Sequence, residues 1–269
     1  MGLTKRIGLW FGRGLENALA ARAALGKLQA ENPGAEWVLF GPRESLYVFE
    51  MDDRVSAYIP LRSLEPRRAA QSRLSFFLEK RAQFKKLRGL QLDECIAVVA
   101  SSADKAADQQ ALKNFQQDFK RLGVHGHCLV NELKWFLAIE RPVLQAGPEA
   151  LAFATQHHRK SPPNLPKYLV LLSEHAAPGP SLEQQWTQVQ ALESFNQCVN
   201  PAIAVITRGN RLASRQIAQA HPDWLQLNNS QAMGLIAYAD GVVSVAADVT
   251  LICHEMGRSN LLLLGKSNS

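Results

Sequence analysis

The chain has 269 residues, 46% of them hydrophobic, and carries 30 Lys and Arg against 24 Asp and Glu, a net charge of +6. That size and apolar content suit one large or two small globular units. No run of 18 apolar residues occurs, which excludes an ordinary transmembrane helix, and four scattered cysteines without a CxxC pair exclude a disulfide scaffold or a zinc site. The first apolar stretch, Met1 to Phe11, is short and lacks a small-residue cleavage site, so no signal peptide and a cytoplasmic protein are expected. Arg6 to Phe11 reads as a buried strand and Leu15 to Glu31 as a helix stopped by Asn32-Pro33-Gly34. Strands are expected at Glu36 to Phe40, Val55 to Leu61, Glu94 to Val99 and His127 to Val130. Long helices are expected at Arg67 to Gly89 and Asp108 to Leu122, and a broken one at Leu133 to His158.

Three prolines in Arg159 to Pro166 mark a linker, giving domains at 1–160 and 161–269. The second half repeats the rhythm. Strands are expected at Tyr168 to Ser173, Ala202 to Thr207, Trp224 to Leu227, Gly241 to Val245 and Asn260 to Leu264. Helices are expected at Ser181 to Asn196, Arg211 to Ala220, Gln231 to Ala239 and Val249 to Met256. Alternating strands and helices predict an α/β protein of two Rossmann-like parallel-sheet domains facing a cleft. Ligands of such sheets bind at the carboxyl ends of the strands, which makes Ser173 a candidate.

Several residues have two readings. Gly12-x-Gly14 after a strand opens a dinucleotide fingerprint, with Arg43 available for a 2′-phosphate, or it is a plain tight turn; the third glycine is replaced by Asn17. His125/His127 and His157/His158 lack the cysteine or carboxylate partners a metal needs and read as surface residues. Asp240 reads as a strand-entry residue. Glu174-His175 follows a strand, where either a ligand or solvent can lie. The stretch Arg67 to Arg88 holds Arg67, Arg68, Arg73, Lys80, Arg81, Lys85, Lys86 and Arg88 against Glu79, with Leu74, Phe76, Phe77, Leu78, Phe84 and Leu87 between them. It is a helix with a solvated basic face, or a contact for anionic lipid or a phosphorylated acceptor. No nucleic-acid module accompanies the charge, and no nucleic-acid partner is expected.

Two stretches carry a family resemblance. Arg6 to Glu36 gives a strand, a Gly-containing turn, an Ala-Leu helix and Asn-Pro-Gly-Ala-Glu. Met233 to Gly265 contains Gly-Leu-Ile-Ala-Tyr-Ala-Asp-Gly-Val-Val-Ser-Val and closes on Asn-Leu-Leu-Leu-Leu-Gly. Both resemble the family 9 glycosyltransferases, the lipopolysaccharide heptosyltransferases among them. The resemblance implies a GT-B architecture and neither metal nor cofactor. It implies sugar transfer from a nucleotide-sugar donor, ADP-linked, to an anionic glycolipid acceptor of lipopolysaccharide or surface-glycan assembly, with the protein cytoplasmic or peripheral to the inner membrane. The family's catalytic base is the Asp of a Gly-Asp pair. The matching pair here is Glu16-Asn17, so the base is lost unless Glu16 supplies it. The family's phosphate-binding segment matches Ala246, Ala247, Asp248, Val249, Thr250 and Leu251, with Asp248 replacing a glycine. The resemblance thus assigns the base region to Glu16 and Asn17. It assigns the donor site to Gly12, Gly14, Ser173 and Ala246 to Thr250. A non-catalytic homologue that binds or scaffolds at the membrane surface is the alternative.

Overall fold

A computed structural model describes residues 4–64, 71–100, 105–131, 144–158, 168–174, 180–192, 195, 201–207 and 211–258. The chain divides into two compact units, Met1–Pro142 and Val143–Ser269. In the first unit β1 (Arg6–Phe11), β2 (Glu36–Gly41), β3 (Ala57–Pro60), β4 (Glu94–Ala100) and β5 (Gly126–Asn131) form one sheet in the order β3-β2-β1-β4-β5. Every pairing is parallel. Such strands must be apolar on both faces, and β1 obliges: Ile7, Leu9, Trp10 and Phe11 are all fully buried.

Helices α1 (Leu15–Glu31), α2 (Arg73–Arg88) and α3 (Lys105–Leu122) cover this sheet. Ala18, Ala20, Ala21, Ala23 and Ala24 are buried on α1; side chains this small let the helix lie close against β1 and β4. On the face packed by α2 and α3, Trp10 stacks on Phe40 at 4.7 Å between ring centres and meets Phe119 edge-on at 5.4 Å. Leu87, Phe115 and Leu122 complete that core. The expected helix from Arg67 is shorter than its sequence pattern. The Ser72 hydroxyl accepts the Ser75 N–H at 3.0 Å, an N-cap that starts the helix at Arg73. Arg67 and Arg68 lie outside the described residues.

A buried ionic cluster ties α1 to the segment after β2. The Asp52 carboxylate, 1% exposed, accepts from Arg54 Nε at 2.7 Å and Nη2 at 2.5 Å, and Arg22 Nε of α1 lies 3.4 Å away. Burial pushes the Asp52 carboxyl up, but the two guanidinium groups outweigh it and hold its pKa below the ordinary 3.8.

The second unit holds β6 (Tyr168–Ser173), β7 (Ala202–Ile206), β8 (Leu225–Leu227) and β9 (Gly241–Val243), parallel in the order β8-β7-β6-β9. The expected strand at Asn260 to Leu264 lies outside the described residues. Its helices are α4 (Pro148–His158), α5 (Leu182–Gln190), α6 (Arg211–Ala220), α7 (Asn229–Tyr238) and α8 (Ala247–Glu255). Val170, Leu172, Val189, Val205, Ile217 and Val243 form one buried cluster, with Trp186 and Trp224 packed against it. The sequence reading grouped 148–158 with the first domain; here α4 packs on α7 in the second unit. Gly234 of α7 permits this: a Cβ there would collide with the Ala150 backbone of α4. The prolines at 162, 163 and 166 lie outside the described residues. No described helix is long and apolar enough to cross a membrane.

Asp52→Asn is expected to cost about 3–5 kcal/mol, because it leaves buried guanidinium charge uncompensated. The cluster also sets a pH signature. A carboxylate with a lowered folded-state pKa contributes fully above 3.8 and loses its contribution as pH falls through the folded value. In urea melts the gap between wild type and Asp52→Asn should therefore close on acidification. A gap that persists in acid would show that the cluster's charge is not what the substitution removes.

Candidate functional site

In an open parallel sheet, neighbouring connections leave in opposite directions at one place, and ligands bind at the carboxyl ends there. The two strand orders put that switch point between β1 and β4 in the first unit and between β6 and β9 in the second. The candidates for base and donor gather at these two places.

At the first switch point β1 ends at Phe11 and the chain turns through Gly12 to Gly14 into α1. Gly14 has φ 94°, a left-handed backbone that favours glycine. A Cβ on Gly12 would only touch the Asn17 side chain at ordinary distance, 3.5 Å. Asn17 spans the crevice: its Nδ2 donates to the Arg13 carbonyl at 2.6 Å, and its Oδ1 accepts the Ala100 N–H at the end of β4 at 2.9 Å. The amide is used at both ends, and an Asp could serve only the second bond. Glu16 lies one position earlier, exposed, with a carboxylate oxygen 3.1 Å from where a Gly14 Cβ would stand. Its side chain therefore leans back over the turn. Arg13 of the same turn donates to the Leu64 carbonyl.

At the second switch point Ser173 ends β6 and is fully buried. Its hydroxyl donates to Asp248 Oδ2 at 2.6 Å. Asp248 sits in the first turn of α8, where its other oxygen accepts the Val249 N–H at 3.0 Å. Helix N-termini attract anions because their first N–H groups lack helical partners. Here the chain's own carboxylate stands at that position. Ala246 caps α8 with no side-chain hydrogen bond; its N–H donates to Ser244 Oγ at 3.1 Å, and that hydroxyl donates to the Leu171 carbonyl at 2.5 Å. Ala247 opens the helix, and Thr250 Oγ1 bonds back to the Ala246 carbonyl at 3.1 Å. Ser173, Ala246, Asp248 and Val249 are thus brought together, while the Thr250 hydroxyl is spent on its own helix.

Two residues of this second site were not picked out from the sequence. Gln185, fully buried on α5, accepts the Ser173 N–H at 3.0 Å and donates to the Ser173 carbonyl at 2.7 Å. Ser244 is equally buried. The legible signal for Gln185 was a polar residue on the apolar stripe of Leu182, Trp186 and Val189.

Other candidates lie elsewhere. His127 Nδ1 is 3.1 Å from Glu94 Oε1, and Lys5 holds the other oxygen at 2.7 Å, at the amino end of the first sheet. His157 packs on Phe153. Asp240 is exposed at the amino end of β9. Glu174 follows β6, its N–H bonded to the Ile206 carbonyl at 3.0 Å, and His175 lies outside the described residues. Arg43 opens a short 3₁₀ segment after β2. Burial pushes the Cys95 and Cys253 thiols up to about 12, so neither is a thiolate nucleophile near neutral pH. Among the described residues no group of three His, Cys, Asp or Glu could hold a metal ion.

No family model and no curated protein matches this sequence. Solved structures do match in fold. A glycosyl transferase family 9 protein from Veillonella parvula superposes with a TM-score of 0.62 at 9% identity, covering 100% of this chain and 84% of its own. The E. coli ADP-heptose lipopolysaccharide heptosyltransferase II gives 0.59 at 14% identity, over 98% and 86%. An E. coli heptosyltransferase solved with ADP gives 0.51 at 17%, over 98% and 88%. The chain therefore has a heptosyltransferase-like fold of two Rossmann-like units.

The Asn17 bridge makes separable demands on its two bonds. Asn17→Asp keeps the acceptor for Ala100 and loses the donor to Arg13; it should cost about 1 kcal/mol. Asn17→Ala loses both and should cost about 2 kcal/mol. Equal urea midpoints for wild type and Asn17→Asp would mean that the Arg13 bond contributes nothing.

Proposed function

We propose that the protein acts in assembly of lipopolysaccharide or a related surface glycan, as a glycosyltransferase-like protein. Its second unit would take the nucleotide-sugar donor and its first unit an anionic glycolipid acceptor. The observation that carries this reading is the coincidence of fold and place. The sequence candidates for base and donor fall at the switch points of both sheets in a heptosyltransferase-like fold. In a transfer the acceptor hydroxyl loses a proton, its oxygen bonds to the sugar's anomeric carbon, and the bond to the nucleoside diphosphate breaks. The proton needs a base at the end of β1. Asn17 has no basic atom to offer, and Glu16 is the only carboxylate of the turn from Gly12 to Asn17.

A second reading is favoured by one specific contact, the Asp248 carboxylate at the N-terminus of α8, bonded to Ser173. A diphosphate brought there meets a like charge. On this reading the protein is a non-catalytic homologue that binds or scaffolds without turning over a donor.

Calorimetry with ADP and an ADP-sugar addresses the donor site. Wild type should bind ADP weakly, short of micromolar affinity. Asp248→Asn keeps the shape and an acceptor for Ser173 while removing the charge, and should tighten binding at least about tenfold. Micromolar binding by wild type would remove the repulsion argument. Release of ADP in the presence of a lipopolysaccharide-core acceptor separates the two readings. Turnover that Glu16→Gln abolishes supports the transferase; no turnover in wild type supports the non-catalytic homologue.

A further inference from the structure

The first unit carries a helix face that is exposed among its described residues. Up to residue 142 the chain has 22 Lys and Arg against 16 Asp and Glu; after it there are eight of each, so the first unit holds the entire net charge of +6. Within it, α2 has six cations, Arg73, Lys80, Arg81, Lys85, Lys86 and Arg88, and one acid, Glu79, which is engaged by Arg62 at 2.8 Å.

Helical periodicity sorts this segment into two faces. Phe76, Lys80, Gln83, Phe84 and Leu87 point inward or lie half-buried; Leu87 and Phe84 join the core, and Arg62 lies over the Phe76 ring at 4.7 Å. The opposite face carries Leu74, Phe77 and Leu78, which remain 67%, 61% and 52% exposed. Arg81, Lys85 and Arg88 follow on the same side, about one, two and three turns further along, all exposed. A side chain of this size left in water costs free energy that burial would recover. Three of them in two consecutive turns form a patch rather than scatter.

We propose that the outer face of α2 is a docking surface for an anionic lipid bilayer. Leu74, Phe77 and Leu78 enter the interface between headgroups and acyl chains; Arg81 and Lys85 on that face, the exposed Lys86 on its flank, and Arg88, whose guanidinium also donates to the Arg121 carbonyl, lie along the anionic headgroups. The pairing of apolar and cationic residues on one exposed helix face is what an interfacial helix needs. The charge selects the occupant: a cationic face is matched by acidic phospholipid, whose surface potential attracts cations within a Debye length. The helix is anchored to the core through its inner face, so docking requires no unfolding. None of these residues is a donor or base candidate. Lipid binding can therefore fail while glycosyl transfer stands, and the converse also holds.

The test is co-sedimentation of the full-length protein with vesicles that contain no glycan. Vesicles of phosphatidylcholine with a fifth of phosphatidylglycerol should bind the protein, and pure phosphatidylcholine should bind it far less. Arg81→Gln, Lys85→Gln and Lys86→Gln together should weaken binding about a hundredfold, since each cation near an anionic surface contributes roughly a fivefold factor. Leu74→Ser, Phe77→Ser and Leu78→Ser together should weaken it at least about tenfold. All six side chains are exposed, so both variants should keep the wild-type melting curve. Equal affinity for neutral and anionic vesicles, or unchanged binding by the serine variant, overturns the proposal. So does a lipid-free dimer of wild type that the serine variant dissolves, which would give the face to a second copy.

Discussion

The constraint on which this molecule depends is the satisfaction of backbone groups where a parallel sheet splits. At a switch point the two central strands are followed by connections that diverge, so N–H and C=O groups just beyond the ladder lose their neighbours. Left buried and unpaired, each would cost free energy comparable to a lost hydrogen bond. In the first unit the Asn17 side chain closes the gap by accepting the Ala100 N–H and donating to the Arg13 carbonyl. In the second unit Gln185 takes both backbone groups of Ser173, and Ser244 joins Leu171 of β6 to Ala246. Short local polar bridges do in each unit what a ligand or ordered water does at an open switch point.

This internal closure bears on chemistry because the same atoms are what a ligand would use. A phosphate at a helix start is held by free N–H groups and small hydroxyls. Here the Val249 N–H and the Ser173 hydroxyl already serve Asp248. A ligand must therefore displace an intramolecular bond as well as its own water. The first unit differs: Asn17 is neutral, and Glu16 beside it is exposed and outside the bridge. Proton chemistry of the kind proposed for Glu16 would run through an exposed residue outside the bridge. The position proposed for the donor, by contrast, is tied into the fold through Ser173.

Much of this was legible in the sequence, and the failures have physical causes. Helix α1 and the strands around it were readable because apolar runs, an Ala-Leu period and Asn-Pro-Gly punctuation agree locally. The start of α2 was misread because Arg67 to Ser72 continues the basic composition without breaking the period; only the Ser72 cap marks the boundary. The place of α4 could not be read locally at all. It depends on Gly234, more than 70 residues away, allowing two backbones to approach. The sequence named Asn17 and Asp248 as altered positions, but a substitution does not disclose its partners. That Asn17 bridges to Ala100 and that Asp248 pairs with Ser173 are products of strand order, since each bond joins segments brought together only when the sheet assembles.

The distribution of charge adds a last step. In the first unit Arg22 and Arg54 gather on Asp52 behind α1, a cluster that keeps one positive charge in excess. Helix α2 is the most basic of the unit's described elements, and its cations other than the half-buried Lys80 are exposed. The second unit has no net charge, yet Asp248 stands at the N-terminus of α8 and Glu174 follows the adjoining strand end. A polyanion approaching this protein is thus drawn to the first unit by its long-range field, and repelled at close quarters at the switch point of the second. An anionic acceptor and an anionic donor would meet opposite electrostatics on one chain. The asymmetry comes from residues that the two sheets do not need in order to fold, with the exception of Asp248, whose bond to Ser173 links folding and binding at a single carboxylate.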